Sequence, residues 1–204
     1  NQTMFKRILL ILITFYSLPI TGFSQTTFRL SYDVAQFDLA GGMVQNPAGE
    51  YVIAGTNSTF IPFFGNVIKI DGSANFQWAK SYAGGIATNF SDIKNVSSGG
   101  YIICGSSSSG GAILLKIDNS GNIVWANRYQ CPDYSGGNSS DESAYAVVET
   151  QDGGFLVGGE VDYFWDGVSS STVDTASAFG FKVDASGNLQ WSHVWTIPTP
   201  LPDE

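Results

Sequence analysis

The chain has 204 residues, of which 18 are acidic and 9 basic, giving a net charge of −9; 14% are aromatic, 24 are glycine and one is histidine. Few, scattered lysines and arginines exclude a nucleic-acid partner, because such binding depends on clustered cations that neutralise phosphates. One histidine and no G-x-S-x-G elbow give no support to Ser-His-Asp catalysis.

At the N-terminus, Lys6 and Arg7 precede an apolar run from Ile8 to Leu18, followed by Pro19 and Gly22-Phe23-Ser24. This order of charge, apolar run and small residues predicts a signal peptide over residues 1–24, cut before Gln25. An eleven-residue run is too short for a hydrocarbon core that needs roughly 20 residues, so no transmembrane span is expected in the mature form. No cysteine follows the run to accept a lipid. Cleavage leaves 7 basic against 18 acidic residues, a net charge of −11, which suits a secreted or outer-surface protein.

Next come Phe28 and Tyr32, an i, i+4 aromatic pair that recurs at Trp78 and Tyr82, Trp125 and Tyr129, and Trp191 and Trp195. Between these pairs lie three copies of a turn, strand and glycine: Gly49–Gly55, Gly99–Gly105 and Gly153–Gly159. Each is followed by Lys-Ile/Val-Asp at 69–71, 116–118 and 182–184, with the tryptophan nine residues after the lysine every time. Asp71–Asn75, Asp118–Asn122 and Asp184–Asn188 are rich in residues that accept positive φ or cap a turn through their own side chains, and so predict hairpins. The flanking runs, such as Ala112–Leu115 and Ile123–Trp125, are short and β-branched with no helical period.

The chain is therefore expected to be all-β, a β-propeller of four-stranded antiparallel blades with strands A to D in a meander. The expected order is an orphan strand at 26–33, blades at 38–83, 90–130 and 143–196, and the start of a next unit at 197–204. The repeat glycines lie 50 and 54 residues apart, a blade-like period, with a solenoid as the alternative. Tyr32 to Gly55 spans the same 23 residues as Tyr82 to Gly105, so residues 26–33 read as a D strand available to close a ring and remove its open edges. Three blades and a lone strand fall short of the usual ~4–8 blades, and the expectation is a truncated piece of a longer protein.

Gly99-Gly100-Tyr101, Gly105-Ser106, Lys116-Ile117-Asp118, Ser120-Gly121-Asn122 and Trp125 with Tyr129 resemble the secreted bacterial propeller repeats common in surface proteins of the type IX secretion pathway. The resemblance covers residues 28–196 and implies a fold and a compartment, not a ligand. The Asp-x-Ser-Gly-Asn-x-x-Trp block is also similar to the Trp-docking repeat of quinoprotein dehydrogenases, where a strand-D tryptophan locks one blade to the next. Their active site uses a calcium-held quinone and commonly adjacent cysteines, whereas Cys104 and Cys131 lie 27 residues apart.

The tryptophans are expected as core packing; Asp71, Asp118 and Asp184 as turn caps rather than calcium ligands; and Cys104, in the slot of Ala54 and Gly158, as a small buried residue. The B-to-C intervals run 14, 11 and 23 residues from glycine to lysine, and the D-to-A connection also lengthens before blade three. These connections share one face, making it the candidate binding face. Its candidate ligand residues are Phe60, Phe63, Phe64, Tyr134, Tyr163, Phe164 and Trp165, with Asp162, Asp166 and Asp174 as candidate metal residues. Aromatic rings beside carboxylates suit stacking on sugars or holding calcium; the alternative is a loop folded over its own blade. No other cofactor is expected. The functional expectation is a non-enzymatic platform that binds glycan or protein at the cell surface. The alternative is a propeller enzyme, a glycan-active hydrolase or a quinoprotein dehydrogenase, whose catalytic residues lie in further blades.

Overall fold

The computed structural model describes residues 38–57, 64–82, 89–107, 110–130, 140–163 and 175–195. The predicted signal peptide, the orphan strand at 26–33 and the next unit at 197–204 lie outside the described residues. Those described form twelve strands in three four-stranded sheets, with no helix among them.

Sheet 1 comprises β1 (Asp38–Gln45), β2 (Tyr51–Asn57), β3 (Phe64–Ile70) and β4 (Phe76–Tyr82). Sheet 2 comprises β5 (Asn89–Asn95), β6 (Tyr101–Ser106), β7 (Ala112–Ile117) and β8 (Ile123–Tyr129). Sheet 3 comprises β9 (Ser140–Glu149), β10 (Phe155–Tyr163), β11 (Thr175–Val183) and β12 (Leu189–Trp195). Each is an antiparallel meander in chain order, as the repeat predicts.

The constant lysine-to-tryptophan spacing has a local cause. In all three sheets that lysine pairs across the ladder with that tryptophan: Lys69 with Trp78, Lys116 with Trp125 and Lys182 with Trp191. The turn between them is capped by its first residue. Asp118 Oδ1 accepts from the amides of Ser120 and Asn122, both at 2.8 Å, and Oδ2 accepts from Asn122 Nδ2 at 2.8 Å. Asp71 and Asp184 make the same three bonds in their own turns. These donors hold all three carboxyls below their ordinary range.

The glycine repeated in each second strand also has a steric cause. A β-bulge in each first strand brings its backbone across the second. A Cβ on Gly55, Gly105 or Gly159 would lie 1.9, 1.8 or 2.0 Å from the carbonyl oxygen of Leu39, Asn89 or Ser143.

The sheets meet along their first strands, β1 against β5 and β5 with β6 against β9. Between sheets 1 and 2, Val52, Ala54 and Val67 pack with Ile93, Ile103, Leu115 and Ile117. Between sheets 2 and 3, Ile102, Cys104 and Leu114 pack with Val147, Phe155, Val157 and Phe181. Having a neighbour on each side, β6 and β7 are buried along nearly their whole length, as strands covered on both faces must be.

Two of the three tryptophans pack against the cores between sheets, as expected, Trp78 on the first and Trp125 on the second. Trp78 and Trp125 are half-buried and reach forward onto the following sheet, whereas Trp191 is 44% exposed. Among the described residues no sheet follows the third. The same reasoning separates Met43, 62% exposed, from Ile93 at 0% and Val147 at 3%, which occupy the same repeat position with a sheet in front of them.

Urea unfolding of the full chain tests this packing. Ile93→Ala should cost about 2–5 kcal/mol, whereas Met43→Ala at the matching position should stay within about 0.5 kcal/mol; equal costs would contradict the stacking. Burial, aided by the charge of Asp118, pushes the buried phenol of Tyr82 well above its ordinary value. Its neutral form is favoured in the folded chain, so its contribution is complete below the unfolded value of about 10 and is lost as pH rises beyond it. Thermal midpoints should fall above that pH, and less steeply in Tyr82→Phe.

Candidate functional site

Two rims follow from the meander. One carries the turns between first and second strands and between third and fourth strands, and these share a single geometry. In each, the fourth residue donates its amide to the carbonyl of the first, and the first donates to the carbonyl of the fifth, as in Gly49 to Asn46 at 2.9 Å and Asn46 to Glu50 at 2.9 Å. The fourth residue has positive φ, between 63° at Ala74 and 96° at Gly99, as a three-residue hairpin loop requires.

The other rim carries the strand ends Asn57 and Phe64, Ser106 and Ala112, and Tyr163 and Thr175, each pair matched across its ladder. The connections of unequal length start and finish there, as the sequence pattern predicts. Phe64 opens β3 and is half-buried. Asp162 and Tyr163 close β10, paired with Ala176 and Thr175 on one side and with Asp141 and Ser140 on the other. Phe60, Phe63, Tyr134, Phe164, Trp165, Asp166 and Asp174 lie outside the described residues. Among the described residues, no group of three or more His, Cys, Asp or Glu is placed to hold a metal ion.

Three features escaped the reading by residue type. The first is an apolar hollow of about 130 Å³ on sheet 1, lined by Leu39, Ala40, Ile53, Gly55, Thr56, Asn66 and Ile68. Ile53 and Ile68 match Ile103 and Leu115, which sheet 1 buries completely; the hollow is thus a sheet-packing face rather than an enclosed ligand pocket. Alignment of the repeats would have found it.

The second is Asp92, at the bulge of β5. Its Oδ1 accepts from the Ile93 amide at 2.9 Å and from Lys94 Nζ at 2.5 Å, and its Oδ2 accepts from the Val147 amide of sheet 3 at 3.2 Å. The matching residue in sheet 1 is Gly42, where a Cβ would lie 2.9 Å from the Asp92 Cα. The acidic side chain thus serves as a strand-to-strand tie.

The third is the exposed edge of β12. Trp191 and Trp195 occupy positions that grip the next sheet elsewhere in the chain, and the His193 ring meets Trp195 edge-on at 4.9 Å. His193 is exposed.

Cys104 is a free, buried thiol that faces Val147 and Phe155 across the sheet 2–sheet 3 core. Burial, with a smaller effect from the Asp92 charge, pushes it up to about 12, so thiolate is scarce at neutral pH. Iodoacetamide at pH 8 should leave Cys104 unmodified in the native chain and alkylate it fully in urea, with peptide mass mapping separating it from Cys131; rapid native labelling would mean that β6 opens. No protein-family model matches the chain, and no curated protein matches it.

Proposed function

We propose that the chain is a run of blades from an exported β-propeller that acts as a non-enzymatic binding or adhesion platform at the cell surface, related to the propeller repeats of secreted bacterial surface proteins. The observation that carries the reading is the segregation of the two rims. All six turns of the first rim share one geometry, while the connections of the second rim differ in length, from the Ser107–Gly111 turn of that same geometry to the long segment between Tyr163 and Thr175 that includes Phe164 and Trp165.

Three further features support it. The sheets are four-stranded meanders of one register pattern, they converge along their first strands, and they form a scaffold on which loops can change without disturbing the packing. The signal-peptide pattern at 1–24 supports export, and no helix among the described residues is long and apolar enough to cross a membrane. Glycan or protein is the partner class that suits aromatic loops beside carboxylates, with calcium as a candidate ion at Asp162, Asp166 and Asp174.

Two measurements test the proposal. Expressed with its leader in a secreting host, the chain should appear outside the cell with an intact mass that begins at Gln25; retention of residues 1–24 inside the cell would overturn export. On an array of immobilised cell-surface glycans and proteins, the full chain should bind, and replacing 164–174 by a short Gly-Ser loop should abolish that binding with no change in thermal midpoint. Binding that survives the replacement would remove the long loop from the site, and turnover of an arrayed glycan would replace the platform with an enzyme.

A further inference from the structure

The cations among the described residues are divided unevenly between the two rims. Lys69 pairs with Glu50 at 2.6 Å, Lys94 with Asp92 at 2.5 Å and Lys182 with Asp152 at 2.6 Å. Lys80 donates to Asn122 Oδ1 in the third-to-fourth-strand turn of sheet 2 at 2.8 Å, and Lys116 lies over the Phe155 ring. These lysines belong to the first rim or to a junction between sheets. Arg128, one residue before the end of β8, is the lysine or arginine that the described residues place at the second rim.

Strand alternation fixes its setting. Trp125, Asn127 and Tyr129 face sheet 3, where the Tyr129 hydroxyl donates to the Gly187 carbonyl at 2.7 Å, Asn127 Nδ2 donates to it at 3.0 Å and the Trp125 ring lies against Gly187. Tyr82 and Trp78 hold Gly121 of sheet 2 in the same way, the Tyr82 hydroxyl donating to its carbonyl at 2.8 Å. Arg128 stands on the opposite face of β8, paired with Ile113 of the core shared with sheet 1.

Beneath it lies the short connection of sheet 2, closed by Gly110 donating to Ser107 at 3.1 Å and Ser107 to Gly111 at 3.0 Å. Gly111 is buried and has φ 98°. A Cβ there would lie 2.8 Å from Arg128 Cγ, 3.1 Å from its Cδ and 3.0 Å from Gln130 Cγ. The bare glycine is a bed for the arginine stem, while the side chain as a whole stays exposed. At the matching positions sheets 1 and 3 carry Phe64 and Ser177 in place of the glycine, and Ser81 and Val194 in place of the arginine. The arginine and its bed thus occur together.

We propose that Arg128 anchors a carboxylate-bearing sugar at the second rim. This rests on the platform reading above and names the ligand chemistry. A guanidinium on a held stem presents a planar fork of donors that fits a carboxylate through two hydrogen bonds, and ordering it on binding costs little rotamer freedom. The strand ends of the same rim carry Asp38, Asp141 and Asp162, and the chain has a net charge of −9. A densely acidic peptide is repelled by that field. An isolated carboxylate on a neutral, hydroxyl-rich ligand meets the cation with far less repulsion.

The test prints uronate- and sialate-bearing oligosaccharides beside their methyl esters, neutral oligosaccharides and a glutamate-rich peptide, and measures binding of the full chain. The acids should bind about tenfold or more tighter than their esters, and the difference should shrink as salt rises. Arg128→Gln should erase the preference with no change in thermal midpoint, and Arg128→Lys should keep a weakened one, because an ammonium lacks the fork. Equal binding of acid and ester, or a preference that survives Arg128→Gln, overturns this proposal and leaves the platform reading standing. Tightest binding to the peptide also overturns it and assigns the rim to an acidic protein. Absence of binding to every printed ligand overturns both readings.

Discussion

The arrangement depends on one contact made twice: an aromatic pair on the outermost strand of a sheet closing over a glycine in the hairpin turn of the next. A four-stranded meander exposes two apolar faces and cannot bury either alone. Its first strand solves the problem at the inner edge, where Gly41 and Gly42 let β5 approach so closely that a Cβ on Gly41 would sit 1.9 Å from the Phe90 carbonyl oxygen. Sheets that touch at their inner edges diverge at their outer ones, and only a long side chain spans the gap there. Tryptophan supplies area and tyrosine supplies a hydroxyl for the turn carbonyl, satisfying a backbone acceptor that the hairpin leaves unused.

That contact explains why the turn is as constant as the strand that grips it. The aspartate cap holds the turn so that its fourth residue adopts positive φ and turns its carbonyl to the neighbouring hydroxyl. The lysine opposite each tryptophan adapts to its surroundings. Lys69 pairs with Glu50 at 2.6 Å, Lys182 with Asp152 at 2.6 Å, and Lys116 lies over the Phe155 ring of the next sheet at 5.7 Å. The pairing with Lys182 and the bonds from Thr150 and Gly154 hold Asp152 far below the usual carboxylate range. The other rim takes no part in these contacts, and its connections are free to differ in length and composition.

Most of the fold was legible because its determinants are local. The spacing from Lys116 to Trp125 is set by one capped hairpin, and the glycine at 105 by one bulge, so a reader of residue types and intervals recovers strands, turns and sheet order. The direction of the tryptophan contact is not readable from intervals alone: Trp125 and Phe155 lie 30 residues apart in sequence, with ring centroids 6.0 Å apart, and only the resemblance to Trp-docking repeats pointed from one sheet to the next. Exposure was illegible for a related reason. Met43 and Ile93 hold one repeat position, and what distinguishes them is whether another sheet stands in front. The candidate ligand residues were chosen by composition on loops such as 164–174, where no periodicity constrains the backbone, and the described part of the set reduces to Phe64, Asp162 and Tyr163 at strand ends.

A stack built from such contacts has polarity. Each sheet offers aromatics on one face and a turn with β-branched residues on the other, so every junction is heterologous, and heterologous contacts that do not close on themselves propagate. An unprotected pair of ends on one molecule would invite head-to-tail assembly. The turn of sheet 1 differs from the other two in placing a non-glycine residue, Ala74, in the left-handed region at φ 63°, which for one residue costs about 1–2 kcal/mol.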